Sequence, residues 1–458
     1  MNIIKLKASV LLMLTFICVL ICANETRVLA ADRVQPIGDE LVIVIDPGHG
    51  GDNLGTQSGH TIEKEMTMVT AKAMYEELLK YDDVTVYMTH TDDVDLSLKE
   101  RAEFAASVNA DFLFSIHYNA SEYHTMYGTE VWISCQTPYN AYGYQFGYLH
   151  LKEMEKMGLF LRGVKNRQNN DKEDYYGIIR ESAALSVPAV IIEHCYVDEE
   201  RDAEYVKNAE DFATFGRTNA LSVAKYFGLK SSVLNVDYSA EASNLQPAEA
   251  DKPVQYTLPD KTAPDVCEIE LVECDYETGN VQITVRAADY DTALIYYSYS
   301  INGGASWSRL ESWPGSNALT GEYADTFQLN LQIPAGRKPS IIVKAFNITD
   351  LDTRSNTLQF DQKFGPTKET TQTTTNISSG DVSVKEDAAV STTPPEHEHK
   401  TVGTTTFMPV YSDTTEDDTG QIMVFLKLCL ALVIVMFLIV LTTQIVHYNR
   451  RKARRRKK

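Results

Sequence analysis

Between residues 40 and 228, short apolar runs of β type alternate with stretches of helical character, and this rhythm restricts the fold more than any other feature of the chain. The runs are Leu41–Ile45, Val84–Met88, Phe112–Ile116, Thr129–Ile133 and Ala189–Ile192, and the helical stretches lie near 64–80, 97–108, 143–164 and 203–227. A strand that reads as an almost unbroken apolar run is buried on both faces, and the helices between successive strands are what cover those faces. The expectation over 40–228 is an α/β domain with a mostly parallel, twisted sheet flanked by helices. At roughly 190 residues it is long enough to bury a full core of its own.

Beyond residue 228 the pattern changes. Residues 229–262 lose apolar periodicity and read as a linker. Over 263–361, short alternating strands such as Val281–Ala287 and Leu294–Ile301 predict an all-β sandwich, with Asn302-Gly303-Gly304 supplying a hairpin turn. The hairpin around Ser300–Trp307 resembles one found in the immunoglobulin-like modules of bacterial surface proteins. Residues 365–420 are Thr-rich, carry Pro394-Pro395 and scattered acids, and hold too little apolar surface to form a core, so a disordered stalk is expected.

The two ends set the expected compartment. Residues 1–31 place Lys5 and Lys7 before an apolar run, Ala8–Ala23, and close on Ala30-Ala31, the layout of a secretory signal. Ile422–Val446 is apolar apart from Lys427 and a few uncharged polar residues, enough for one transmembrane helix across a ~30 Å hydrocarbon core. The tail, 447–458, carries eight Lys and Arg residues and is expected in the cytoplasm. The rest of the protein then faces outward on a single-pass anchor. The formal net charge is −21, of which the tail contributes +8, leaving −29 on residues 1–449. Such a surface repels nucleic acid, so no DNA or RNA partner is expected. Cys135, Cys195, Cys267 and Cys274 lie in the outward region without metal-type or framework spacing, and Cys267 and Cys274 can pair only if the chain turns between them.

Three polar side chains each end an apolar strand. His49 lies in Asp46-Pro-Gly-His-Gly-Gly51, His117 in Ser115-Ile-His-Tyr-Asn119, and Glu193 closes Pro188-Ala-Val-Ile-Ile-Glu193. Open α/β sheets bind ligands at the carboxyl ends of their strands, and two imidazoles with a carboxylate are the material of a metal site. Glu63, in Ile62-Glu63-Lys64-Glu65, begins the first helix on the same edge. Each residue also has a plainer reading: a lone imidazole is more often a satisfied surface or core group, Glu63 suits a helix N-terminus, and Glu193 suits an ion pair. His60 and His124 read as surface residues.

In order and spacing, these motifs resemble those of the zinc-dependent N-acetylmuramoyl-L-alanine amidases over about residues 41–227. Leu98-Lys-Glu-Arg101 through Asn109-Ala-Asp111 resembles the lead-in to the family's second histidine. The resemblance implies that His49, Glu63 and His117 are ligands of Zn2+ and that Glu193 is the catalytic carboxylate. It implies peptidoglycan as substrate, cut at the amide between N-acetylmuramic acid and L-alanine. Because the family's ligand directly precedes a lysine, it selects Glu63 over Glu65. His194-Cys195-Tyr196 departs from the family pattern. Strand alternation turns His194 away from the side of Glu193 and Cys195 toward it; Cys195 reads as a buried filler, with a thiol that crowds the zinc or oxidises as the alternative. The competing reading is a non-catalytic, membrane-anchored surface protein that grips cell wall or a partner through the amidase fold and the sandwich. The sandwich itself has a glycan or a protein as its expected partner.

Overall fold

In the computed structural model, the residues described are 34–36, 40–59, 61–251, 253–254 and 261–365. The segment expected to be a secretory signal (1–31), residues 366–420, the apolar segment 422–446 and the basic tail lie outside them. Among the described residues no helix is long and apolar enough to cross a membrane.

The apolar runs are the strands β1 (Leu41–Pro47), β2 (Val84–Met88), β3 (Phe112–Asn119) and β4 (Thr129–Ile133), joined by β5 (Leu161–Lys165) and β6 (Ala189–Tyr196). They form one sheet in the order β2-β1-β3-β6-β4-β5. Every neighbouring pair is parallel except β4 with β6. Five longer helices flank it: α1 (Glu63–Leu78), α2 (Leu98–Ser107), α3 (Tyr139–Lys156), α4 (Gly177–Ala184) and α5 (Ala209–Phe227).

Alternate strand residues enter different cores, as the period of two requires. Ile43, Ile45, Phe112, Phe114, Ile116 and Ile192 pack with Met74 of α1, Phe146 of α3 and Val223 of α5. Val44, Leu113 and Ile191 pack with Ala105 of α2 and Ile178 and Ile179 of α4 on the opposite face. On the first face α5 lies close against α1, since a Cβ on Gly216 would come within 2.3 Å of the Thr70 carbonyl oxygen.

The local pattern misplaces several boundaries. The helix expected over 143–164 ends at Lys156, Gly158 takes a φ of 96°, and Leu161–Lys165 becomes the edge strand β5. The helix expected over 203–227 is split into one turn, Glu200–Ala203, and α5, whose N-terminus is capped by the Asn208 side chain accepting from the Glu210 and Asp211 amides. The segment read as a linker is instead partly built into the domain. Lys230–Ser231 pairs with Val236–Asp237, and Leu245, Ala248, Ala250 and Val254 pack on the main core.

The second part is a sandwich. β7 (Val266–Cys274), β8 (Asn280–Ala288) and β10 (Thr326–Gln332) form one antiparallel sheet; β9 (Leu294–Ser300), β11 (Ser340–Asn347) and three short strands form the other. Ile283 and Val285 of the first sheet share a core with Val343 and Ala345 of the second, closed by Trp313 and Phe364. Cys267 and Cys274 stand on the same strand, seven residues or about 23 Å apart at ~3.3 Å per residue, and both thiols are free. No turn separates them, so they cannot bridge.

The sandwich is not a separate bead. Ile295, Tyr296, Leu310, Ala318 and Ile348 form an apolar cluster with Tyr127 of the α/β part, against which Met126 and Phe160 also pack.

Candidate metal centre and active site

Three ligand-type atoms converge at the carboxyl edge of the sheet. The Glu63 Oε1 lies 3.1 Å from Nε2 of His49 and 3.1 Å from Nδ1 of His117. His49, Glu63 and His117 offer ligand atoms that all lie within 4.8 Å of one another, a geometry a metal ion fits. Glu63 is buried while Glu65 is exposed, so the two acids are separated by placement as well as by spacing.

The surrounding residues hold these groups in position. The other ring nitrogen of His49 meets Asn53 Oδ1 at 2.9 Å, and that of His117 meets Ser115 Oγ at 3.2 Å, leaving the converging nitrogens for a ligand. The second Glu63 oxygen accepts from the Thr56 amide at 2.7 Å, and Oε1 also accepts from the Tyr118 amide at 3.0 Å. His49 has a φ of 68°, outside the usual range for a non-glycine residue. Arg101 fixes that bend. Its guanidinium donates to the carbonyls of Pro47 (2.6 Å) and His49 (2.7 Å), and to Asp46 Oδ1 (2.9 Å), in a pair that is buried on both sides.

Two glycines leave the cradle its space. A Cβ on Gly48 would fall 2.4 Å from the His117 ring, and one on Gly55, at φ 66°, would fall 2.6 Å from Glu63 Oε2 and 2.7 Å from His49. Electrostatically the cradle is built for a cation. Burial opposes ionisation of Glu63, yet the hydrogen bonds to His117 and His49 hold its carboxyl far below the usual range. Burial likewise opposes charge on His49, but Glu63 beside it lifts the imidazole above its ordinary value. The donor set, the oriented ring nitrogens and the demand for positive charge all fit zinc, which takes two imidazoles and a carboxylate and keeps a fourth position open.

Glu193 stands beside this group. It is the β6 partner of His117 on β3 and the β4-side partner of Glu130. Its Oε2 is buried with no hydrogen-bond partner among the described residues. Burial pushes its carboxyl well above the usual range, and the charges of Glu63 and Glu130 push the same way.

The alternation expected after Glu193 fails. A bulge shifts the register so that His117 pairs with Glu193 but Asn119 pairs with Tyr196. Cys195 is buried with Met66, Tyr118 and Phe215, away from the cradle, and burial raises its thiol far above the ordinary value. His194 goes to the same side, stacked on Tyr118 and bonded through Nδ1 to the His117 carbonyl at 2.8 Å. Tyr196, rather than Cys195, joins Glu193 in the cleft. His124 is exposed and meets Asp198 at 2.7 Å, as a surface residue would; His60 lies outside the described residues.

Sequence reasoning did not single out Arg101, Asp46, Asn53 or Ser115 as supports. Nor did it find the charge chain behind Glu193, in which Glu130 accepts from Lys165 (2.7 Å), Arg162 (2.9 Å), Asn119 (2.9 Å) and Trp132 (3.2 Å).

Residues 43–225 match the family model described as N-acetylmuramoyl-L-alanine amidase. The chain is 31% identical over 191 residues to N-acetylmuramoyl-L-alanine amidase CwlM of Bacillus licheniformis, an alignment covering 42% of this chain and 70% of that one. It is 28% identical over 191 residues to the sporulation-specific N-acetylmuramoyl-L-alanine amidase of Bacillus subtilis, covering 42% and 69%. Among solved structures, the catalytic domain of CwlV from Bacillus (Paenibacillus) polymyxa is 26% identical, covering 42% of this chain and 99% of that one at a TM-score of 0.36.

Proposed function

From the premise that this chain belongs to the N-acetylmuramoyl-L-alanine amidase family, we propose that His49, Glu63 and His117 hold a zinc ion and that Glu193 carries the proton in hydrolysis of the muramoyl–L-alanine amide. The protein is an amidase of peptidoglycan. The observation that carries the zinc reading is the convergence of two imidazoles on one oxygen of a buried carboxylate, with their outer nitrogens engaged by Asn53 and Ser115.

A zinc ion held by His49, Glu63 and His117 would supply Lewis acidity to the scissile carbonyl and to the attacking water. Glu193 would take the proton that the attacking water loses and return it to the nitrogen of L-alanine as the carbon–nitrogen bond breaks. Burial, and then the charges of Glu63 and Glu130, raise its carboxyl above the usual range, which makes it a stronger proton acceptor than an ordinary carboxylate. A protein that merely gripped the cell wall would have no use for a carboxyl whose Oε2 is buried without a hydrogen-bond partner beside three ligand atoms.

Peptidoglycan lies outside the cytoplasmic membrane, so the reading places both domains at the cell surface, with 422–446 as the anchor and 365–420 as the tether. The immunoglobulin-like character of 263–361 belongs to the same reading. The test is an assay on residues 32–362 with insoluble peptidoglycan. Peptides bearing a free L-alanine amino terminus are expected to appear, to vanish on chelation, to return with zinc, and to be absent with Glu193→Ala. Release that survives thorough chelation would remove the metal from the mechanism.

A further inference from the structure

We propose that the sandwich forms part of the substrate site: its turn Asn347–Leu351 walls the cleft beside Glu193, opposite a loop that turns Arg167 and Lys172 to the cleft, and between them lies the anionic peptide arm of the substrate. This rests on the assignment of Glu193 above. The cleft, about 920 Å³, is bounded on one side by Glu193, Tyr196 and the loop 166–172, and on the other by Thr349 and Asp350 of the sandwich with Lys261 just before it. Its volume suits a peptide segment.

The wall is fixed rather than resting loosely on the domain. Arg162, fully buried on β5, donates from Nη2 to both Asp350 oxygens (2.8 and 2.7 Å), from Nη1 to the Tyr296 hydroxyl (3.0 Å) and from Nε to Glu130 (2.9 Å). Tyr296 in turn donates to the Tyr127 carbonyl. A forked guanidinium shared between a carboxylate of each domain sets position and angle together. Gly163 lets the surfaces meet, since a Cβ there would lie 2.7 Å from Ile348 Cδ1. Within the turn, Asn347 Oδ1 accepts from the Thr349 and Leu351 amides (3.1 and 3.0 Å), while its Nδ2 donates to Asp289 (3.0 Å) and the Thr262 carbonyl (3.0 Å). The turn is therefore held to both the sandwich and the α/β domain.

The charges of the cleft identify the occupant. Asp350 is neutralised by Arg162, and Glu130 by Lys165 and Arg162. Arg167, Lys172 and Lys261, which also line the cleft, have no ion-pair partner among the described residues. Arg167 packs over the Tyr175 ring, 3.8 Å to its centroid, which holds its charge without neutralising it. Three cations without a carboxylate partner among the described residues stand out around one cleft in a chain with 63 acidic and 42 basic residues. The glycan of the substrate is neutral where its lactyl carboxyl is tied up in the amide, whereas the peptide carries free carboxylates. The cations therefore match the peptide, with Lys261 and Thr349 meeting it from the sandwich side.

The test uses the full chain in detergent and two soluble substrates, N-acetylmuramoyl-L-alanyl-D-glutamyl peptides with free or amidated carboxyls. Lys261→Glu is expected to raise KM for the free-carboxylate substrate about fivefold or more, with kcat within about twofold, and to move the amidated substrate much less. Thr349→Trp, which fills the cleft, is expected to raise KM for both. Lys338→Glu, a charge reversal on an exposed sandwich residue, serves as the control and should move neither. Equal effects of Lys261→Glu on both substrates, or no effect of either cleft variant, would overturn the proposal. Calorimetric binding of the free-carboxylate peptide to Glu193→Gln, with and without Lys261→Glu, decides the same question without turnover. Loss of cleavage in every protein with binding and its Lys261 dependence intact would count against the catalytic assignment and for the wall.

Discussion

Glu130 and Glu193 stand directly opposite one another on adjacent antiparallel strands, and their surroundings shift their carboxyls in opposite directions. Burial disfavours charge on both. Around Glu130, Lys165 and Arg162 reverse that effect and draw its carboxyl down to about 2. Glu193 has no such partner and is pushed up. Carboxylates separated in this way are how a fold assigns one acid to structure and its neighbour to proton transfer.

Glu193→Gln should lose activity by about 10²–10⁴-fold, the usual worth of a positioned proton carrier, measured as peptide release. In metal-free protein the same change should raise stability. The folded-state pKa of Glu193 lies above its unfolded value, so the wild-type contribution is intact at low pH and declines as pH rises through the unfolded and then the folded value. The gain in Tm from Glu193→Gln should therefore be larger at pH 8 than at pH 4. An equal gain at both would mean the carboxyl is not strained.

Glu130→Gln should destabilise by about 3–5 kcal/mol at pH 7, because Lys165 remains buried without its counter-charge and Arg162 keeps only Asp350. Glu130 is depressed in the folded state, so its stabilisation is present above the unfolded value near 4.5 and is lost as pH falls toward about 2. Denaturant titrations of both proteins should converge over that window.

Arg101→Lys keeps the charge but not the fork that holds the Pro47 and His49 carbonyls. Zinc affinity should fall by about 10–100-fold, as for other supports of metal ligands, with the secondary structure unchanged by circular dichroism. A competitive chelator titration reads this directly.

Gly55→Ala should abolish metal binding while leaving the sheet intact. The new methyl meets Glu63 and His49 at distances no real Cβ tolerates, at a backbone angle that disfavours any side chain. Zinc content after dialysis is the measurement.

The parts of this account written in local sequence were legible beforehand. The strands were visible as apolar runs because both sheet faces are buried, and His49, His117 and Glu193 were visible because each interrupts such a run at its end. What escaped depends on long-range contacts. Nothing near Arg162 reveals that it is buried, since its partners Glu130 and Asp350 lie 32 and 188 residues away. The bulge at His194–Cys195 reversed an inference drawn from strict alternation, because that inference assumes an unbroken ladder. β5 was lost inside a helical pattern, although Gly158 marked where the helix had to stop. Residues 229–251 lacked periodicity because they pack as short pieces, a two-residue strand pair and one helical turn among them, on a core formed by other elements.

The most direct test of the central claim is zinc per chain, measured by native mass spectrometry beside amide hydrolysis, for the unaltered protein, His117→Ala and Glu193→Gln. The account predicts one zinc and activity in the first, neither in the second, and one zinc without activity in the third. Zinc retained at full occupancy in His117→Ala, or hydrolysis by zinc-loaded Glu193→Gln at the unaltered rate, would contradict it.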